Sequence, residues 1–176
     1  MRRAAVLLVL AAFASLGTAS GRSETGASAK FTRVPHGWRA FDRDFAVLSN
    51  RGGNVQSYAL SWAYTPGPFG WANQMPHSAI AVSVILIRDS RCGAVHHPGF
   101  PAIRHLPLRL PATTRDRQEG QPNIPEYRVA GRMGESYNVD LRVDINNVRP
   151  TRAMLRVAQS VVDGIHFPKW RRPAAC

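Results

Sequence analysis

The segment YNVDLRVDIN, residues 137–146, constrains the fold more than any other stretch of this sequence. Its apolar and polar side chains alternate without a break, which is the period of a β-strand and not of a helix. One face would carry Tyr137, Val139, Leu141, Val143 and Ile145, and the other Asn138, Asp140, Arg142, Asp144 and Asn146. We therefore predict an antiparallel strand that buries its apolar face and turns its polar face to water.

The preceding segment, residues 127–133, alternates in the same way and is joined to this strand by residues 134–136. A two-residue loop would place Arg132 opposite Tyr137 and mix the two faces, whereas a three-residue loop pairs Met133 with Tyr137. The sequence therefore predicts a hairpin with a three-residue loop. This register sets two opposite-charge pairs on diagonals of the polar face, Arg132 with Asp140 and Arg128 with Asp144.

The next segment, NNVRPTRAMLRVAQSVVDGIHF at residues 146–167, has the pattern of an amphipathic helix. Pro150 suits its first turn, and Gly164 suits a left-handed residue just past its last turn. The apolar side would pack on a sheet. The opposite side would turn three arginines to water: Arg149, Arg152 and Arg156. A solvated face is the commoner outcome for such a stripe, and docking on an anionic surface is the functional alternative.

Residues 55–64 predict a strand whose large side chains fall on one face. These side chains are Tyr58, Leu60, Trp62 and Tyr64. With Trp71 from the following loop they could line a ligand pocket, although core packing is the commoner role of strand aromatics.

Residues 78–88 are apolar on both faces, which is typical of a central strand covered on both sides. Phe45–Leu48 and Leu106–Leu110 predict shorter strands, the second at an edge or irregular because of Pro107. Strands followed by a final helix describe an α+β domain, in which a C-terminal helix packs on an antiparallel sheet.

A resemblance rests on VPHGWRAF, which contains Gly37 and Trp38, on QMPHSAIAVSVILI, and on YNVDLRVDI with the helix and GIHFP. This layout resembles a group of uncharacterised secreted actinobacterial proteins over most of the chain. It also resembles the PsbP-like domains, which implies an α/β/α sandwich. Because PsbP-like domains are mostly non-enzymatic accessory or partner-binding modules, the resemblance implies a binding function.

The N-terminus predicts where the protein works. Residues 1–19 combine two early arginines, an apolar run and small residues, which is the pattern of a secretory signal peptide. Its apolar run is shorter than the ~20 residues that span a bilayer, and no later stretch approaches that length. We predict cleavage near residue 19, a flexible leader over residues 20–30 and one globular domain over residues 31–176. The predicted location is extracellular or associated with the cell wall.

Charge indicates the class of partner. The whole chain carries a formal net charge of +12, of which Arg2 and Arg3 in the signal peptide contribute two. A basic exported protein attracts anionic partners such as a cell-wall polymer or lipid head groups, and a protein partner is a further candidate. We find no specific nucleic-acid signature.

One irregular stretch, DSRCGAVHHPGF at residues 89–100, contains a cysteine and two adjacent histidines. A set of ligands for zinc or copper, or a thiol with a nearby base, would consist of Cys92, His96, His97 and His105. Adjacent histidines point apart in an extended chain, and one ligand pair is not a site. Metal binding and a small exported hydrolase at this loop are therefore alternatives, and we predict no cofactor.

The favoured role of Cys92 is a disulfide with Cys176, since exported proteins retain disulfides and these are the two cysteines of the chain. No phosphate loop, nucleophile elbow, zinc-protease motif or EF-hand spacing occurs. We therefore predict a secreted, non-catalytic module that binds an anionic envelope component or a protein partner. The binding candidates are Arg149, Arg152, Arg156, Trp62, Tyr64 and Trp71.

The predicted disulfide can be tested by thiol titration. We expect the native mature protein to expose no free thiol, and to release two after reduction in denaturant. Two free thiols before reduction would contradict the disulfide and would favour the metal or thiol alternatives for the loop.

Overall fold

A computed structural model describes residues 28–45, 54–63, 75–87, 100–112, 116–118, 121–135 and 137–169. Within these residues the chain forms an antiparallel sheet, a two-stranded ribbon and one helix, which agrees with the predicted α+β class. The predicted signal peptide and almost all of the predicted leader lie outside the described residues.

The main sheet has six strands in the order β2-β3-β4-β7-β6-β5, and every neighbouring pair is antiparallel. Its strands are β2 Arg39–Phe45, β3 Asn54–Leu60, β4 Ile80–Ile87, β5 Asp116–Gln118, β6 Gln121–Met133 and β7 Tyr137–Ile145. The separate ribbon pairs β1 Lys30–Phe31 with β8 Ile165–His166. The helix α1 spans Arg152–Asp163 and packs on one face of the sheet, which we call the helix face. The opposite face is called the polar face.

Two sequence predictions about the sheet are confirmed. β4 is central and is buried along nearly all its length, as its two-sided apolar pattern predicted. The hairpin of β6 and β7 pairs Met133 with Tyr137 and Arg132 with Asn138, so the loop has three residues. The apolar set of β7 lies on the helix face and is fully buried there, with Val82 and Val84 of β4 beside it.

The helix begins at Arg152, so Pro150 lies before the N-cap and not in the first turn as predicted. Thr151 is the N-cap, and its hydroxyl accepts a hydrogen bond from the Met154 amide at 3.2 Å. Such a cap satisfies one of the amides that a first turn leaves without a partner. Ala158, Val161 and Val162 then form the buried side of α1 against the helix face.

Gly164 is not left-handed, contrary to the prediction, since its φ is −89°. Its backbone carbonyl instead accepts hydrogen bonds from both the amide and the hydroxyl of Thr32, each at 2.8 Å. Arg33, the residue after Thr32, therefore lies very close to Gly164. A Cβ added to Gly164 would be 2.5 Å from the Cβ of Arg33. A glycine therefore stands here because another part of the chain approaches it, not because of its backbone angle.

The predicted strand Leu106–Leu110 is wrong, because this segment forms no strand. Its backbone is bound by one helix side chain: the Gln159 amide donates to the Leu108 carbonyl at 2.9 Å and accepts from the Leu110 amide at 3.0 Å. Leu108 is buried in the helix-face core. The segment is thus a loop attached to α1. Of the other predicted short strand, Phe45 belongs to β2, and residues 46–48 lie outside the described residues, so the rest of this prediction stays a prediction.

The prediction that the polar set of β7 faces water is wrong for three of its members. Asn138, Asp140 and Asp144 are buried, and Arg142 is half-buried. β7 lies between β4 and β6, in the interior of the sheet, where both faces are covered. Part of the polar face carries a second apolar cluster made of Tyr58, Leu60, Trp62, Met75, Ala79, Ala81 and Ile124, with Phe41 packed against it.

The close approach at Gly164 can be tested with Gly164→Ala. We expect a loss of about 1 to 3 kcal/mol in the free energy of unfolding, because the new methyl group overlaps Arg33. Urea unfolding is the measurement, and Ser160→Ala on the exposed side of α1 is the control with little expected effect. Equal stability of the Gly164→Ala variant and the parent protein would contradict this contact.

Candidate functional site

Several candidate site residues lie outside the described part of the chain. These are Tyr64, Trp71, Cys92, His96, His97 and Cys176. The predicted disulfide and most of the histidine loop therefore stay predictions. His105 is described and is exposed. Among the described residues, no three His, Cys, Asp or Glu side chains are grouped so that they could hold a metal ion.

The described members of the aromatic row pack in the core. Tyr58 and Trp62 are both buried in the second apolar cluster. The ring of Phe41 stacks on that of Tyr58 with centroids 5.1 Å apart. Such burial is the ordinary role of strand aromatics and leaves these two rings no open surface for a ligand.

Of the predicted arginine stripe, Arg152 and Arg156 lie on α1, whereas Arg149 precedes the N-cap Thr151 and is not part of the helix. We call the surface formed by Arg149, Arg152 and Arg156, with Val148 and Val157, the helix arginine surface. All three arginines are exposed, and so are Val148 (69%) and Val157 (38%).

None of these three arginines forms an ion pair with another described residue. By contrast, Arg109 forms an ion pair with Asp163, the last residue of α1, with 3.4 Å between Nη1 and Oδ1. The first turn of α1 also has no acidic residue, although carboxylates are favourable at this positive end of the helix dipole. Positive charge accumulates at the N-terminal half of α1 with no carboxylate in the first turn to balance it.

A second group of charges lies on the polar face. Its members, Glu126, Arg128, Asp140, Arg142 and Asp144, are called the sheet charge cluster. The register of β6 and β7 places Glu126 directly opposite Asp144, and Arg128 directly opposite Arg142. Like charges directly opposite each other destabilise a sheet, so this arrangement needs compensation.

Asp140 supplies that compensation for the arginines. Arg128 donates from Nε to Asp140 Oδ1 at 2.7 Å and from Nη2 to Oδ2 at 3.0 Å. Arg142 donates from Nε and Nη2 to Oδ2 at 3.2 and 2.8 Å. Burial alone would raise the pKa of Asp140, but the hydrogen bonds from Arg128 and Arg142 outweigh it and lower that pKa. Arg128 thus bonds to Asp140 and not to Asp144, the diagonal predicted from the sequence.

Asp144 has the opposite electrostatic environment. It is 2% exposed, and its Oδ1 accepts no hydrogen bond from any residue that the structure describes. Burial, followed by the nearby charge of Glu126, raises the pKa of Asp144 from 3.8 to about 7, while Arg142 opposes the shift. Arg142 approaches the Glu126 carboxylate at 3.9 Å, which is an ion pair beyond hydrogen-bond length. The cluster therefore combines one carboxylate held ionised with one poised to change its protonation state near neutral pH.

Sequence reasoning missed this cluster because alternation alone does not show whether the polar face of a strand is covered. The sequence of the neighbouring strand β4 does indicate that this face is covered. β4 is apolar on both faces and pairs with β7 along its whole length, so any layer that covers β4 extends toward β7.

Comparisons with protein-family models, with curated proteins and with solved structures gave no match to this chain. Among the described residues, no helix is long and apolar enough to cross a membrane.

The pKa shifts of the two aspartates of β7 predict opposite dependences of stability on pH. Between about pH 4 and pH 7 the native protein retains a proton on Asp144 that the unfolded chain has lost, so this residue makes stability fall as the pH rises through that window. Asp140, with its lowered pKa, instead makes stability fall as the pH drops below about 4.

We therefore expect Asp144→Asn to raise the free energy of unfolding at pH 8 by about 1 to 3 kcal/mol and to change it little at pH 5. The matched variant Asp140→Asn removes the acceptor of both arginines and should lower stability at pH 8 by about 1 to 3 kcal/mol. Urea unfolding at both pH values measures these differences. A loss of stability in Asp144→Asn at pH 8 would contradict the proposed protonation of Asp144.

Proposed function

We propose that the protein is a secreted, non-catalytic module that binds an anionic component of the cell envelope through the helix arginine surface. The observation that carries the proposal is that three exposed arginines have no carboxylate partner among the described residues, in a segment that also exposes two valines. The predicted signal peptide and the net charge of +12 support the same proposal.

The chemistry of this surface suits a polyanion or a layer of head groups. Guanidinium groups form paired hydrogen bonds to phosphate and carboxylate oxygens and are less strongly hydrated than ammonium groups. Val148 and Val157 add an apolar contact, which lipid head groups with acyl chains below them, or a polymer with a hydrocarbon backbone, can cover. Arg152 and Arg156 are four residues apart, so both follow one face of α1.

The finer fold prediction also stays a proposal. A PsbP-like α/β/α sandwich requires a second layer over the polar face of the sheet. The burial of Asn138, Asp140 and Asp144 supports a layer that covers part of that face, although the outer edges of Arg128 and Arg142 stay exposed. PsbP-like domains are mostly binding modules, which fits the proposed function.

A triple variant tests the binding surface. We expect Arg149→Ala, Arg152→Ala and Arg156→Ala together to weaken binding to vesicles rich in phosphatidylglycerol roughly 100-fold, because each arginine near an anionic membrane contributes about 1 kcal/mol. Vesicle co-sedimentation of the full mature protein is the measurement, with an anionic wall-type polymer as a second ligand.

The matched control is Arg33→Ala with Arg39→Ala and Arg104→Ala, which removes the same charge from three exposed positions outside α1. Equal losses in both triple variants would mean that only net charge matters and would overturn the helix arginine surface as the site. If neither variant affects capture of a protein partner, that partner binds elsewhere. Metal bound to protein purified without a histidine tag would favour the alternative at Cys92, His96, His97 and His105.

A further inference from the structure

The sheet charge cluster contains two guanidinium groups that are held in place yet incompletely used. Arg128 and Arg142 stand opposite each other on β6 and β7 and share one buried acceptor, Asp140. Each guanidinium has five N–H donors, and the Asp140 carboxylate engages only the Nε and Nη2 atoms of each. The Nη1 atoms have no hydrogen-bond acceptor among the described residues, since Glu126 lies 3.9 Å from that of Arg142.

These unused donors are accessible. The Arg128 and Arg142 side chains are 37% and 38% exposed, whereas Asp140 beneath them is 5% exposed. Asp140 therefore fixes the two guanidiniums from below and leaves their outer edges open. Both Nη2 atoms lie within 3.0 Å of the same oxygen, so they are no more than about 6 Å apart, a span that one oxyanion group can bridge.

We propose that Arg128 and Arg142 form a binding site for one oxyanion group, a carboxylate or a phosphodiester, on the polar face of the sheet. The site differs from the helix arginine surface in residues and in element. A ligand would not have to order the two arginine side chains, because the shared Asp140 already holds both of them before the ligand binds.

The net charge of this site depends on whether Asp144 is protonated. From β6 the groups facing Asp144 are Glu126 and Arg128, and from β7 they are Asp140 and Arg142. The described neighbours from β4 and β3 are Ala81, Ser83, Leu60 and Tyr58. Within the sheet charge cluster alone, the two arginines balance Glu126 and Asp140 when Asp144 is neutral, whereas an ionised Asp144 adds one more negative charge to the cluster.

The oxyanion therefore binds with uptake of a proton on Asp144. Its affinity rises as the pH falls toward and below neutrality, by up to about tenfold per pH unit for one linked proton.

The experiment uses the full mature protein carrying the triple alanine substitution at Arg149, Arg152 and Arg156, so that the helix arginine surface cannot contribute. The probes are acetate and dimethyl phosphate, which are singly charged throughout the range from pH 6 to pH 8. Chloride at the same ionic strength is the blank. The guanidinium carbon (Cζ) signals of the arginines are followed by NMR during each titration.

We expect saturable shifts of the Arg128 and Arg142 signals at pH 6, with no saturable shift at Arg33, Arg39 or Arg104. The probe with the tighter binding identifies the ligand as a carboxylate or a phosphodiester. Affinity should fall at pH 8, and Asp144→Asn should remove that fall while keeping both guanidiniums. Arg142→Lys keeps the positive charge but loses the planar guanidinium, which can donate two parallel hydrogen bonds. It should weaken binding several-fold at pH 6.

Shifts that do not saturate, or that chloride reproduces, would overturn the site. Saturable binding with the same affinity at pH 6 and pH 8 would overturn the proton linkage. Because the titrated protein lacks the helix arginine surface, these outcomes are independent of vesicle binding by the parent protein. Circular dichroism of each variant shows whether a lost signal reflects lost folding.

Discussion

Burial of β7 on both faces is the constraint on which the rest of this fold depends. On the helix face, β7 supplies an unbroken apolar row that packs with β4 and α1. On the polar face it carries Asp140 and Asp144 into the interior, where charged groups are costly unless they are paired or neutralised. A shift of one residue in register would exchange these two rows, so the position of β6 and β4 beside β7 is strongly specified.

The two buried aspartates meet that cost in different ways. Asp140 stays ionised because Arg128 and Arg142 surround it, and those arginines reach back toward solvent through their long side chains. In the described part of the chain no donor bonds to Oδ1 of Asp144, and a proton on this carboxyl removes the charge that a cation would otherwise balance. Three residues of one strand thus separate an acid that stabilises the native state through its charge from one that destabilises it when charged.

Much of the sheet could be predicted from the sequence, because side-chain period and loop length are local properties. They identified the central strand β4, the pairing of Met133 with Tyr137 and the amphipathic helix. The failures arose where distant parts of the chain meet. The approach of Arg33 explains Gly164, the side chain of Gln159 explains why Leu106–Leu110 is no strand, and the second apolar cluster explains the buried polar row. The helix arginines were identified correctly as exposed because a helix face depends on local spacing alone.

The arginines of this protein thus fall into two groups that differ in their environment. On the sheet they compensate buried carboxylate, whereas on α1 they stand exposed and without a carboxylate partner among the described residues. Because no described carboxylate offsets the charge of the exposed arginines, the proposed envelope-binding function rests on the helix arginine surface. The account is tested most directly by the salt dependence of binding between the parent protein and anionic vesicles. It predicts affinity that falls steeply from low to high salt, because exposed charges are screened. Affinity that stays constant across that range would contradict it.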